Sequence, residues 1–158
     1  MLPPRPACYA GRTTREPGGD DVTATHVTVC DTCTDTSRAG EEGIGAGQGL
    51  AVRVAALHAA VPDDALEVHR TRCLMACTEG CVVAVAATGK MQYLLGRWSA
   101  DDEAAAAILA FARQHADSPT GIVPNGEWPE AVAMRFLGRI PPPEPAPGEE
   151  WRDDGSDL

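Results

Sequence analysis

Residues 65–98 read ALEVHRTRCLMACTEGCVVAVAATGKMQYLLGRW. Three extended segments lie in this stretch. Residues 65–72, ALEVHRTR, read as a strand. Residues 81–87, CVVAVAA, form a buried strand, and Thr88-Gly89 turns the chain into KMQYLLGRW, a further strand. Between the first two lies Cys73-Leu-Met-Ala-Cys77-Thr-Glu-Gly-Cys81, with three cysteines in a short polar loop. Upstream, residues 24–30, ATHVTVC, alternate and are β-branched, the pattern of another strand. It ends in Cys30-Asp-Thr-Cys33. Leu50, Val54, Leu57 and Val61 then recur at i, i+4, i+7 and i+11, one apolar helix stripe closed by Pro62 and Asp63. Downstream, Ser99-Ala-Asp-Asp102 has the form of a capping box. The helix after it places Ala104, Ile108, Phe111 and His115 on one face. The order β-α-β-loop-β-β-α predicts a small α/β sandwich. Residues 118–140 are interrupted by Pro and Gly and yield no element.

The flanks differ from this body. Residues 1–21, MLPPRPACYAGRTTREPGGDD, lack the apolar run of a secretory signal and read as disorder or as an extension ahead of a true start near Val22. Cys8 falls there and is set aside. Residues 141–158 form a Pro-rich, acidic tail, in which Trp151 is a candidate anchor for a partner. The domain proper is residues 22–140, enough for one core.

With 44% apolar and 23% charged residues, the 158-residue chain has the composition of a soluble globular protein. No segment approaches a membrane span. The net charge of −10 argues against a nucleic-acid partner. An acidic surface suits a basic patch on a redox partner, where charge mainly sets the on-rate. Six cysteines without an export signal place the chain in the cytoplasm, with thiols as metal ligands or redox groups rather than a disulfide framework.

Placement of the cysteines matters more than their number. Cys30 and Cys33 lie where the first strand ends, and Cys73 and Cys77 where the second ends. Parallel neighbouring strands, joined by the intervening helix, would bring both pairs to one edge of the sheet. Four thiolates around one centre suit an iron–sulfur cluster or structural zinc. Cys81 opens a buried strand and is either a structural thiol or a fifth, exchangeable ligand.

The motif Cys73-Leu-x-x-Cys77-x-x-Gly80, followed by an apolar strand, a Gly turn and Tyr93-x-x-Gly96, resembles the C-terminal half of thioredoxin-like [2Fe–2S] ferredoxins. Those proteins carry Pro where this chain has Cys81, and their first cysteine pair is more widely spaced. Cys30/Cys33, Cys73/Cys77/Cys81 and Gly89-Lys90-Met-Gln-Tyr93-Leu-Leu-Gly96 together resemble an uncharacterised bacterial family of predicted metal-binding proteins. This resemblance covers most of residues 25–140. It implies a thioredoxin-like domain, a bound metal or cluster, and in some members a genomic link to cobalamin biosynthesis; it supplies no reaction.

The expectation is a non-enzymatic electron carrier with a [2Fe–2S] cluster on Cys30, Cys33, Cys73 and Cys77, passing single electrons to an enzyme partner. Arg70 and Arg72, on the strand entering Cys73, would raise its potential. A zinc-stabilised interaction module would use the same four thiolates. A thiol oxidoreductase built on Cys30 and Cys33 would need a helix N-terminus beside the first cysteine, and the periodic helix begins well beyond it. Asp31 and Asp35 would also raise the thiol pKa. His26, His58, His69 and His115 show no paired spacing and read as packing or surface residues, with His69 nearest the cysteine loop.

Overall fold

The computed structural model describes residues 24–33 and 45–143. The readings of residues 1–21, Cys8 and Trp151 fall outside them, as does the acidic tail beyond residue 143. A five-stranded sheet runs in the order β2-β1-β3-β4-β5. Strand β1 (Thr25–Cys30) pairs in parallel with β2 (Leu66–Thr71), and helix α1 (Ala46–Ala60) makes the crossover. On its other side β1 pairs antiparallel with β3 (Cys81–Ala86), which pairs antiparallel with β4 (Gln92–Trp98). Helix α2 (Asp102–Asp117) follows, and a short helix α3 (Glu130–Ala133) leads into β5 (Phe136–Ile140) at the edge beside β4. No helix among the described residues is long and apolar enough to cross a membrane.

Side-chain alternation gives the sheet two unlike faces. Val27, Val29, Val83, Val85, Tyr93 and Leu95 are buried with Leu50 and Val54 of α1 and Ile108, Phe111 and Ala112 of α2. Tyr93 meets Phe111 edge-on at 5.0 Å, and Trp128 extends the aromatic cluster. His26, Thr28, Ala84 and Ala86 alternate with these residues and are only half-buried, on the face away from the two long helices.

Three local readings change. Helix α1 begins at Ala46, so Gly47 and Gly49 belong to its first turn, while Val61 lies past its end and is exposed. Helix α2 is capped by Asp101, whose carboxylate accepts from Ala104 N–H at 2.7 Å, while Ser99 donates its hydroxyl to Asp101. Residues 118–140, which carried no predicted element, supply α3 and the fifth strand.

Candidate metal centre at the end of two parallel strands

Because β1 and β2 are parallel and in register, with Cys30 opposite Thr71, both cysteine turns leave the sheet at one edge. The turns are bonded to each other. Asp31 N–H donates to the Thr71 carbonyl at 2.9 Å, and the Thr32 hydroxyl donates to the Arg72 carbonyl. The Cys30 thiol also points at the Arg72 carbonyl, at 3.8 Å. Arg70 reaches Asp31, with 3.5 Å between guanidinium and carboxylate, so its charge is paired beside the first cysteine turn. Arg72 is exposed.

Helix α1 clamps the first turn from the other side. Gly47 N–H donates to the Cys33 carbonyl at 2.9 Å. A Cβ on Gly47 would run into the Cys30 carbonyl oxygen and lie 2.8 Å from Cys33 N, both rigid backbone. Only glycine allows this approach. The helix start that the sequence placed far from the first cysteine pair therefore packs directly on it.

The five described cysteines are all thiols, with no disulfide among them. Cys30, Cys33 and Cys81 are buried, while Cys73 and Cys77 are exposed. Electrostatics link them. Burial raises the Cys30 pKa, but hydrogen bonds from Cys33, the Leu74 N–H and Thr32 outweigh it, and the net shift is downward. Burial pushes the Cys33 pKa up to about 12, helped by its bond to Cys30 and by the charges of Cys30 and Cys81. The neighbouring charge of Cys73 and a hydrogen bond to it raise Cys77, with a smaller contribution from Cys30. Cys33 therefore holds its proton mainly because it is buried, and Cys77 mainly because the charge of Cys73 is close.

The Cys73–Cys81 loop packs Leu74 and Ala76 against the core, and backbone turns set the rest of its course. Met75 adopts φ +57°, and its N–H donates to Cys73 Sγ at 3.2 Å. A 3-10 turn over Cys77–Glu79 ends at Gly80 (φ +68°), whose N–H returns to the Cys77 carbonyl. Cys81 then enters β3.

The thiols are neighbours but do not close around a point. Among the described residues, the three potential ligand atoms found within 4.8 Å of one another belong to His26, Glu67 and His69. Sequence spacing missed this trio, because only strand register brings His26 to Glu67 and His69. The other two histidines are structural. His115 is fully buried, bonded to the Thr25 hydroxyl at 2.9 Å and the Met91 carbonyl at 2.7 Å. His58 contacts the Asp63 carbonyl at 3.3 Å.

The chain belongs to DUF1636, a family of proteins of unknown function. Its family model matches residues 27–142, which span both cysteine turns, Cys81 and all of β5. No curated protein and no solved structure matches the chain. Membership in DUF1636 assigns no chemistry, so the function has to be argued from the residues.

Proposed function

We propose that the protein holds a [2Fe–2S] cluster on Cys30, Cys33, Cys73 and Cys77 and carries single electrons to an enzyme partner. The observation behind this reading is the convergence of two cysteine pairs at the ends of adjacent parallel strands. The donor set fits: thiolate sulfur is the ligand type of these clusters, and two pairs supply the required four. When bound, such a cluster supplies a one-electron couple. Cys30 and Cys33 would provide the fixed side of the site, held by α1, and the exposed Cys73 and Cys77 the side that closes on it. Cys33 and Cys77, whose pKa values are raised, must lose their protons on binding, so metal affinity should rise with pH. Arg72 would favour the more negative reduced state, whereas the Asp31 carboxylate offsets the charge of Arg70. Cys81, whose charge acts on Cys33, would be the exchangeable fifth ligand.

The βαβ-then-ββα order supports the thioredoxin-like reading of the domain, and cytoplasmic residence rests on the cysteine usage of the sequence. A link to cobalamin metabolism rests on the family resemblance alone.

One observation favours thiol exchange, namely the helix N-terminus against a cysteine pair with one depressed pKa. Accessibility opposes it. Cys30 and Cys33 are 1% and 2% exposed, so neither sulfur can be reached by a disulfide substrate.

Protein purified without oxygen tests the proposal through its visible spectrum, with iron, acid-labile sulfide and zinc measured on the same sample. The expected result is about two irons and two sulfides per chain, with colour bleached by dithionite. Colourless protein with one zinc, which also fails anaerobic reconstitution with iron and sulfide, would replace the carrier with a zinc-stabilised interaction module.

A further inference from the structure

The face of the sheet away from α1 and α2 carries a second set of donor atoms, independent of the cysteines. His26 on β1 lies directly opposite Glu67 on β2, and His69 is two residues further along the same face of β2. His26 Nδ1 and His69 Nε2 are 2.9 Å apart. Glu67 Oε2 lies 3.2 Å from His69 Nε2 and 3.4 Å from His26 Nδ1. All three side chains are about half exposed, at 40%, 54% and 48% for His26, Glu67 and His69.

We propose that His26, Glu67 and His69 form a surface site for a divalent transition-metal ion of the imidazole-preferring class, with zinc as the natural probe. The separations fit one ion. Three atoms at these distances lie on a circle of radius about 1.8 Å, and an ion about 1 Å off their plane sits about 2.1 Å from each, the usual Zn–N and Zn–O length. All three donors then occupy one side of the ion, and its remaining positions are left to water or to an incoming ligand. Two imidazoles and one carboxylate select zinc, copper, nickel or iron over magnesium and calcium, which prefer all-oxygen sets.

Among the described residues, the neighbouring strand keeps those positions open. Ala86 lies opposite His26 on β3, and Ala84 opposite Thr28, so the adjacent strand presents only small side chains on this face. The site is also separate from the cysteine edge. Cys30 is four residues beyond His26 on β1, about 13 Å at the rise of an extended strand. Two centres can therefore be filled independently.

Cobalt and zinc titrations of the full-length protein, kept reduced, test this site apart from the cysteine centre. Cobalt bound by thiolates gives an intense near-ultraviolet charge-transfer band, and cobalt on imidazole and carboxylate does not. In a Cys73→Ser/Cys77→Ser variant, one equivalent of cobalt should still bind, without that band. Adding His69→Gln or Glu67→Gln to that variant should weaken this binding at least about 100-fold, the upper end of what even indirect partners of a metal site contribute. In the otherwise unaltered protein, zinc should shift the ring NMR signals of His26 and His69 and leave those of the buried His115 in place. Titration curves unchanged by both substitutions, or His26 and His69 ring signals that do not respond to zinc, would reduce the trio to a hydrogen-bonded surface cluster and overturn the proposal.

Discussion

The two cysteine turns at the sheet edge are built in opposite ways. Cys30 and Cys33 are buried, with a strand on one side and the first turn of α1 on the other, and the closest approach is permitted by Gly47. Cys73 and Cys77 are exposed on a loop whose course is set by a positive-φ methionine and a short 3-10 turn. One half of the centre is part of the core, and the other half lies over it. The difference teaches that identical side chains can carry unlike structural duties. Loss of a buried cysteine should damage fold and metal binding together, whereas loss of an exposed one should damage metal binding alone.

The largest contrast follows directly. Cys33→Ser places a hydroxyl in an apolar site and should destabilise the metal-free protein by about 1–3 kcal/mol. Cys73→Ser should leave metal-free stability within about 0.5 kcal/mol, as for other exposed positions. Both should abolish the bound centre. Urea unfolding of metal-free protein, beside metal analysis of each variant as isolated, makes the comparison. Equal stability losses would show that the two turns are not built differently.

Gly47→Ala attacks the buried half without touching a ligand. The added methyl meets backbone on two sides, and relief requires α1 to shift away from the first cysteine turn. A loss of about 2 kcal/mol is expected, within the range for overpacking, despite the better helix propensity of alanine. Metal content should fall as well, because the shift moves Cys30 and Cys33 relative to Cys73. A variant as stable as the parent would mean that α1 does not clamp the site.

How legible this arrangement was depends on the range of the interaction. The strands carrying the cysteines announced themselves through β-branched alternation in ATHVTVC and the apolar run CVVAVAA, and the parallel β1–β2 pairing followed from the helix between them. Strand β5 gave no such signal. FLGRI is five residues long, sits at an edge, holds a glycine, and is nowhere fully buried. The true start of α1 was hidden because Gly47 and Gly49 are poor helix formers, and their use depends on a close approach seen only in three dimensions. The capping-box pattern at Ser99-Ala-Asp-Asp102 marked the helix start, and local geometry gives the cap to Asp101. His26 and His69, from strands separated by a helix, meet only through register. The parallel strand ends that carry the two cysteine turns were thus readable, and the closeness of the thiols themselves depends on turn geometry that spacing does not encode.

Acid should act on the interior rather than on the exposed loop. Burial lowers the pKa of His115 against its ordinary 6.5, more than its bond to the Met91 carbonyl raises it, and the charge of Lys90 lowers it further. The folded protein therefore holds the ring neutral where the unfolded chain would protonate it. Stability from this group is complete above about pH 6.5 and declines as pH falls toward the depressed folded value, by up to about 1.4 kcal/mol per unit. Urea unfolding of metal-free protein between pH 7.5 and 5.5 should show this decline, and a His115→Gln variant should show less of it. The same slope in both would move the acid sensitivity to another group.

The smallest expected effect probes the exposed half. Met75 is 87% exposed and sits at φ +57°, a conformation that costs an L-residue about 1–2 kcal/mol. Met75→Gly removes that cost but adds about 0.5–1 kcal/mol of unfolded-state entropy. Glycine keeps the backbone N–H that donates to Cys73 Sγ and loses only the weak Cys73 thiol contact to Met75 Sδ at 3.6 Å. A net gain of about 0.5 kcal/mol in metal-free stability is expected, with metal content unchanged. A loss of stability instead, measured by the urea midpoint, would show that the Met75 side chain stabilises the loop despite its exposure, and the loop would then be more like the buried turn than its accessibility suggests.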